Sequence, residues 1–222
     1  MGDDTPYWED VNVGDEPAWT CDGPVTATDL IRYHTDTLFN SSSLREDSSM
    51  GDAWRIETSE ANRFHLTGGS TGLLYAAYHL IQDRLCGEAV SGAFSSAPRY
   101  NLRMINCWDN ADGSIERGYS GNSLFFENGR LSWSPVRMRE LGRLLASCGL
   151  NALCINNVNV HDPAQLLLED YLPDLASLAD LFRPFGVRLM ISIDFSQPLR
   201  HGVPTADPLD PAVSQWWRSS VK

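Results

Sequence analysis

Three short apolar runs, separated by two segments with helical periodicity, constrain the fold of this chain more than any other feature. The apolar runs are Leu102–Asn106, Asn151–Ile155 and Val187–Phe195. Between them lie Pro135–Ser147 and a second helical segment within Pro163–Arg183. Alternating strands and helices, with strands that are apolar throughout, favour a buried parallel sheet joined by right-handed crossovers. The sequence therefore predicts the α/β class.

The first of these helices has clear boundary signals. Pro135 suits the first turn, and Gly149 suits the position just after the last turn. The second helix contains Pro173, which predicts an interruption, and it should end before Pro184. The predicted apolar face of the first helix consists of Met138, Leu141, Leu144 and Leu145.

Polar side chains follow each of the three predicted strands. In parallel α/β folds the functional site gathers at the carboxyl ends of the strands. An indole ring can pack on the C–H face of a sugar, while carboxylates, amides and guanidinium groups bind its hydroxyls. One asparagine at a strand end is also typical of a plain turn, but this concentration favours a polyhydroxylated ligand. The candidate binding residues are Trp108, Asp109, Asn110 and Arg117 after the first strand, Asn156, Asn157 and Asn159 after the second, and Asp194 after the third.

The segment at the first strand carries a resemblance to a known family. Residues 103–119 read R-M-I-N-C-W-D-N-A-D-G-S-I-E-R-G-Y. They resemble the opening of the catalytic barrel in glycoside hydrolase family 67, the xylan α-1,2-glucuronidases, where a histidine usually stands at the position of Cys107. Phrases at residues 67–75 and 205–217 are also similar to the family, in the same order. The resemblance covers about residues 50–222.

The resemblance implies a partial (β/α)8 TIM barrel, contributing its first three strands, preceded by the remnant of a small α/β domain. It implies an α-glucuronidase that hydrolyses, with inversion, the α-1,2 bond between (4-O-methyl)glucuronic acid and xylose. The substrate would be a glucuronosyl xylo-oligosaccharide, and no cofactor or metal is implied. In the family, the catalytic acid and base and the basic residues that hold the uronate lie on later strands. We therefore assign no catalytic residue and expect this chain to be an inactive, truncated fragment.

The carboxylates in this stretch do not match the family's catalytic positions. They are Asp109, Asp112, Glu116 and Asp194. A non-catalytic carbohydrate-binding or scaffold module that uses the same Trp-Asp-Asn segment is therefore the alternative hypothesis.

The sequence predicts three regions. Residues 1–48 are a leader and linker, with a Ser-rich linker at 41–52; residues 49–97 are the end of the small α/β domain; residues 98–222 are the start of the barrel. The leader phrase E-D-V-N-V-G-D resembles the start of MaoC-like dehydratases, although the catalytic D-x-N-P-x-H-x-D phrase of that family does not follow it. A dehydratase is the least favoured function.

The small domain is predicted to contain two strands, Trp54–Thr58 and Arg63–Thr67, and a helix that Gly87 ends. The glycine-rich turn before this helix, G-G-S-T-G at 68–72, could in principle hold an anion. It lacks the Gly-Lys-Ser/Thr and G-x-G-x-x-G patterns, so a strand-to-helix turn is the favoured interpretation.

The composition of the chain disfavours some classes of binding partner and indicates a cellular compartment. The net charge of −12 over 222 residues argues against nucleic acid and anionic membranes, although a local arginine could still hold an acidic sugar. The five cysteines form no C-x-x-C pair, which favours reduced thiols. The N-terminus is acidic and has no apolar signal segment, so we expect a cytoplasmic protein.

Overall fold

The computed structural model of the protein describes residues 43–60, 63–87, 91–156 and 171–220. Three predicted features lie outside these ranges. They are the leader that resembles the dehydratases, the first part of the segment predicted to contain the second helix, and two of the predicted site residues. Those two site residues are Asn157 and Asn159.

The first unit is a four-stranded sheet with the order β1-β3-β2-β4. Strand β3 pairs in parallel with β1 and antiparallel with β2, which in turn pairs antiparallel with β4. The two predicted strands of the small domain are confirmed as β2 and β3. The bounds are β1 Ser43–Glu46, β2 Trp54–Glu60, β3 Arg63–Gly68 and β4 Ala93–Ser96.

Strand β1 corrects the prediction that residues 41–52 are a linker. Residues 43–46 pair with β3, and the amide of Asp47 donates to the carbonyl of Gly68 at 2.8 Å. A short 3-10 turn, Ser48–Met50, follows. The Ser-rich composition of this segment suggested a linker, but its backbone groups are used to complete the sheet, and pairing with a distant strand leaves no local sequence signal.

Helix α1, Ser70–Leu85, follows the glycine-rich turn and ends before Gly87 as predicted. The glycines are explained by close packing of two backbone segments. A Cβ on Gly69 would overlap the carbonyl group of Gly51, and a Cβ on Gly72 would overlap that of Ala53. The turn is thus shaped by the backbone at residues 51–53.

The second unit is a three-stranded parallel sheet with the order β5-β8-β9. Consecutive strands of this sheet are neighbours, and helices connect them, as the apolar runs predicted. A short hairpin, β6–β7, lies in the first connection. The bounds are β5 Met104–Cys107, β6 Phe126–Glu127, β7 Arg130–Leu131, β8 Ala152–Ile155 and β9 Arg188–Ile191.

Helix α2, Pro135–Ser147, has the predicted bounds at both ends, and the side chain of Ser134 caps its first turn. Helix α3, Leu172–Phe182, carries Pro173 in its first turn, where the missing N–H is not needed. The earlier part of the segment predicted to be helical lies outside the described residues, so the predicted interruption at Pro173 stays a prediction. Two helices complete the described chain, α4 Gln197–Arg200 and α5 Pro211–Ser220.

Two burial predictions are wrong. Strand β5 was predicted to be buried, but Met104 and Ile105 are each 40% exposed, since β5 pairs with β8 on one side only within the described chain. Leu144 of α2 is exposed as well, whereas Met138 and Leu145 of the predicted apolar face are buried, together with Gly142 and Ala146. A Cβ on Gly142 would crowd the ring of Phe185, so the small residue admits this aromatic side chain.

A single hydrophobic core joins the two sheets. Helix α1 packs between the four-stranded sheet and α2, and α2 packs against α3. The architecture is therefore mixed α/β. The largest fully buried side chains include Phe64, Leu74, Met138, Leu153 and Phe182. None of the helices in the described ranges is long and apolar enough to cross a bilayer.

A polar network also links the two units. The Nη2 atom of Arg103 donates to Asp52 Oδ2 at 2.7 Å and to the Tyr75 hydroxyl at 3.2 Å. Buried Asn151 donates from Nδ2 to the same Asp52 oxygen at 3.2 Å, and its Oδ1 accepts from the Arg103 amide at 2.9 Å. Arg103 and Asn151 each directly precede a strand of the parallel sheet, so the network fixes where β5 and β8 begin.

Candidate functional site

The carboxyl edge of the parallel sheet, where β5, β8 and β9 end, brings together residues from three loops. Trp108 directly follows β5, Asn156 directly follows β8, and Asp194 lies three residues beyond β9. The amide of Asn156 donates to the carbonyl of Cys107 at 2.8 Å, which aligns the first two strand ends. The topology thus assigns these predicted site residues to a common edge.

Asp109 is buried, with 1% of its surface exposed, and it organises the loop after β5. Its Oδ1 accepts a short hydrogen bond from the Ser123 hydroxyl, and further bonds from the amides of Leu124 at 2.9 Å and Phe125 at 3.3 Å. Burial raises the pKa of the Asp109 carboxyl, while hydrogen bonds from these three residues oppose the rise. The side chain therefore ties together two ends of a long loop.

Asp109→Asn should gain stability relative to the wild type as pH rises. The folded-state pKa of Asp109 is raised, so the carboxyl contributes stability that is fully present below its unfolded-state pKa and is lost as pH rises through the folded-state pKa. An asparagine can keep an oxygen acceptor at this position without ionising. Urea unfolding, followed by tryptophan fluorescence from about pH 3 to pH 7, measures the difference across the range where carboxyl groups titrate.

Asp112→Asn is the matched control, with the opposite expected sign. Hydrogen bonds from the side chain and amide of Ser114 lower the pKa of Asp112. Its contribution to stability is present above the unfolded-state pKa and is lost as pH falls. Asp112→Asn should therefore lose stability relative to the wild type as pH rises. The same pH dependence for both variants would contradict the environment described for Asp109.

Asn110 is fully buried and braces the same loop from within. Its Nδ2 donates to the carbonyl of Glu116 at 2.6 Å and to the Ser114 hydroxyl at 3.1 Å. The amide of Glu116 donates in turn to the carbonyl of Trp108 at 2.7 Å, and Glu116 adopts a φ of 53°. The loop thus folds back on its own first residue and holds it in place.

The loop presents two of the predicted binding residues to solvent. Trp108 is 40% exposed although both residues after it are buried, and Arg117 is exposed. An indole held by a braced backbone and partly open to solvent can receive an apolar ligand face without large reordering. The guanidinium of Arg117, in the same loop, supplies donors for hydroxyl or carboxylate groups.

Asp194 is half-buried and closes the turn after β9. Its Oδ1 accepts from the amide of Ser196 at 2.9 Å and from the Ser196 hydroxyl at 2.7 Å. The guanidinium of Arg200 lies 3.8 Å from its other oxygen. A carboxylate accepts several hydrogen bonds, so these contacts orient Asp194 and leave its remaining acceptor sites for a ligand.

Comparison with known proteins decides the family. The model of the glycosyl hydrolase family 67 middle domain matches residues 86–222. The chain belongs to glycosyl hydrolase family 67. The resemblance inferred from the sequence is confirmed, and the match includes all three strands of the parallel sheet.

The relatives of this family 67 chain are much longer than the chain itself. An α-glucuronidase of Hypocrea jecorina is 46% identical over 153 residues, which cover 66% of this chain and 18% of the relative. A probable α-glucuronidase A of Aspergillus terreus is 41% identical over 160 residues, which cover 71% of this chain and 19% of the relative. The chain thus spans about a fifth of the length of these relatives.

A solved structure is similar in fold alone. A GH138 enzyme targeting pectin rhamnogalacturonan II aligns over 86% of this family 67 chain and 26% of its own, with a TM-score of 0.53 and 14% identity.

Cys107, at the end of β5, carries a thiol that is disfavoured from ionising. Burial first, and then the charge of Asp109 and the neighbouring Cys154, raise the pKa of its thiol to about 11. Cysteines 86, 107, 148 and 154 are free thiols. The described part of the family 67 chain contains no group of three His, Cys, Asp or Glu side chains arranged to hold a metal ion.

Sequence reasoning missed one residue that organises the site. Ser123, which hydrogen-bonds to Asp109, lies 14 residues further along the chain in a segment without a distinctive pattern.

A cleft lies at the opposite, amino edge of the parallel sheet, where β5, β8 and β9 begin. Its volume is about 630 Å³, and Asp52, Arg103, Asn151 and Arg188 contribute to its walls. The Asp52 carboxylate accepts hydrogen bonds from the side chains of Arg103 and Asn151, and Asn151 Oδ1 accepts one from the backbone amide of Arg103. We interpret the cleft as a structural junction between the two units, since the functional chemistry of such folds lies at the other edge.

Proposed function

We propose that this chain is part of an α-glucuronidase that acts on glucuronosyl xylo-oligosaccharides, and that its parallel sheet forms the first three strands of a (β/α)8 barrel. The α-glucuronidases of Hypocrea jecorina and Aspergillus terreus among its relatives support the activity. The sheet order, in which each strand lies beside the next in sequence, supports the barrel. The observation that carries the proposal is an exposed Trp108 on a braced loop at the carboxyl edge.

In this proposal the carboxyl edge binds part of the substrate. The indole of Trp108 packs on the C–H face of a pyranose ring, and Asn156 and Asp194 bind hydroxyls from the neighbouring strand ends. Arg117 supplies an exposed cation within the same loop, which attracts an acidic sugar although the chain as a whole is acidic. The basic residues that hold the uronate group itself are expected on later strands of the barrel. Asn157 and Asn159 belong to the proposed site by sequence alone.

The proposed reaction is inverting hydrolysis, in which an acid protonates the glycosidic oxygen while a carboxylate activates water from the opposite side. The carboxylates of this loop system have other roles. Asp109 accepts three hydrogen bonds inside the protein, Asp112 is bound to Ser114, and Asp194 is bound to Ser196. We therefore assign binding and positioning to this chain, and we route no proton transfer through these groups.

The 222-residue chain is expected to bind a 4-O-methylglucuronosyl xylo-oligosaccharide without cleaving it. Calorimetric titration should give a dissociation constant that rises about tenfold or more in Trp108→Ala, since burying an aromatic side chain is worth roughly 1.5–3 kcal/mol. Tyr100→Ala is the matched control, because Tyr100 is an exposed aromatic residue just before β5, near the amino edge. It should leave binding unchanged.

Two results would count against the proposal, and a third would favour the alternative function. Equal binding by the wild type and Trp108→Ala would remove the site from this loop. Release of 4-O-methylglucuronate above a buffer control would show that the acid and base lie within this chain. Equal affinity for branched and unbranched xylo-oligosaccharides would favour the alternative, a non-catalytic carbohydrate-binding module.

A further inference from the structure

A row of aromatic rings lies beyond β9, directly after Asp194. Phe195 is 74% exposed, although its ring contacts that of Trp217 on α5, with a centroid distance of 6.1 Å and an interplanar angle of 65°. Trp217 in turn meets Trp216 edge to face at 4.8 Å, and Trp216 stacks on His201 at 5.1 Å. These contacts brace the Phe195 ring while most of its surface stays open to solvent.

Backbone hydrogen bonds assign Phe195 to the carboxyl edge of the parallel sheet. The amide of Ser192 donates to the carbonyl of Ile155 at 3.0 Å, so the end of β9 is aligned with the end of β8. Phe195 follows three residues later, in the turn that the Asp194 carboxylate closes. It therefore belongs to the same edge as Trp108, but to the other end of that edge, because β8 lies between β5 and β9.

The groups beside this ring suit a sugar. Asp194 precedes Phe195 in the chain, and its Oδ2 lies 3.8 Å from the guanidinium of Arg200, so an anion and a cation adjoin the aromatic residue. A sugar offers an apolar C–H face to a ring and hydroxyls to charged groups, whereas a surface that binds a protein is typically a contiguous apolar patch. The mixture of groups here favours a carbohydrate ligand.

We propose that Phe195 is a second aromatic platform, which receives a xylose unit further along the same oligosaccharide than the unit at Trp108. Neighbouring strands are about 4.8 Å apart, so the ends of β5 and β9 are about 10 Å apart, which is farther than one pyranose ring extends. Oligosaccharides that reach both rings should therefore bind more tightly than those that reach only one. The inference rests on the proposed function and adds a chain-length preference to it.

Phe195→Ala tests this inference with xylobiose and xylopentaose, two probes that differ in length and carry no carboxylate. In calorimetry, the wild-type 222-residue chain should give a lower dissociation constant for xylopentaose than for xylobiose. In Phe195→Ala the dissociation constant for xylopentaose should rise about three- to tenfold, the value of one aromatic contact, and that for xylobiose should be unchanged. Phe195→Trp keeps an aromatic face and should bind xylopentaose as the wild type does.

Tyr100→Ala is the matched control, because Tyr100 is also an exposed aromatic residue but lies just before β5, near the amino edge. It should leave both dissociation constants unchanged. The midpoint of urea unfolding should be the same for Phe195→Ala and the wild type, since the ring is mostly exposed. A further measurement needs no variant: in an NMR titration of the wild type, the backbone amide of Phe195 and the indole N–H of Trp217 should shift with xylopentaose and not with xylobiose.

The outcomes separate the two proposals. Equal affinity of the wild type for both sugars, an unchanged dissociation constant for xylopentaose in Phe195→Ala, or an unshifted Phe195 amide overturns this inference and leaves the proposed function standing. An equal rise for xylobiose and xylopentaose in Phe195→Ala also overturns it, since the ring would then serve the same sugar unit as Trp108. If the wild type binds no xylo-oligosaccharide, glucuronosyl or plain, both proposals fail.

Discussion

Gly72→Ala is expected to lower the free energy of unfolding of this protein by about 3 kcal/mol or more, at the upper end of the range for overpacking. The added methyl group would overlap the carbonyl of Ala53, and both partners are backbone, so neither can rotate away. Alanine is the better helix former by roughly 1 kcal/mol, which offsets only part of the cost. Urea unfolding followed by far-ultraviolet circular dichroism measures the change.

The control for this substitution is Ser70→Ala in the same turn. Ser70 is exposed at the start of α1, and its replacement should change the free energy of unfolding by about 0.5 kcal/mol or less. Equal stability of Gly72→Ala and Ser70→Ala would mean that the turn does not approach residues 51–53 as closely as described. The close approach of the backbone at residues 51–53 accounts for the glycines at positions 69 and 72 without a bound anion.

Arg103→Met should be destabilising by about 2–4 kcal/mol, because it leaves several buried or half-buried groups without partners. The guanidinium donates to the carbonyls of Gly149 at 2.6 Å and Tyr100 at 2.7 Å, in addition to Asp52 at 2.7 Å and Tyr75 at 3.2 Å. The Arg103 and Asp52 side chains are 17% and 29% exposed, so solvent screens the ion pair only in part. Chemical denaturation at neutral pH provides the measurement.

Arg188→Met is the matched control in the same cleft. Arg188 opens β9 and is exposed, so its loss should cost about 0.5 kcal/mol or less. A double-mutant cycle of Arg103→Met with Asp52→Asn should give a coupling energy of about 1 kcal/mol or more. If the two arginine variants unfold at the same urea concentration, the network does not join the two units as described.

The glycine-rich turn at residues 68–72 and the polar network around Arg103 help to position the candidate site. The turn fixes residues 51–53, this segment carries Asp52, and Asp52 pairs with Arg103 immediately before β5. Strand β5 is only four residues long, and Trp108 follows it directly. The position of the indole is therefore tied to the small unit through a short, rigid element, and both destabilising variants should also weaken binding.

Elements whose ends or apolar pattern are marked by residues within the element itself were predictable from the sequence. Helix α2 was predicted residue for residue because Pro135 and Gly149 mark its two ends and its apolar periodicity is regular. The parallel order of β5, β8 and β9 followed from apolar runs alternating with helices. Family membership followed from residues 103–119.

Features that depend on partners distant in sequence were not predictable. Strand β1 exists because β3 offers it an edge, and nothing within residues 43–46 announces that pairing. The bond between Arg103 and Asp52 joins residues 51 positions apart. The exposure of β5 depends on which strands flank it, so an apolar run alone predicted burial incorrectly. The boundaries of the three regions, the cytoplasmic location and the roles of the site residues stay predictions.

The central claim, that the carboxyl edge of the parallel sheet binds a glucuronosyl xylo-oligosaccharide, is tested most directly by an NMR titration of the 222-residue chain with that sugar. We expect the largest shifts at the Trp108 indole and at the backbone amides of Asn110, Asn156 and Asp194. The largest shifts at Arg103 and Arg188, in the cleft of the amino edge, or no shifts at all, would contradict it.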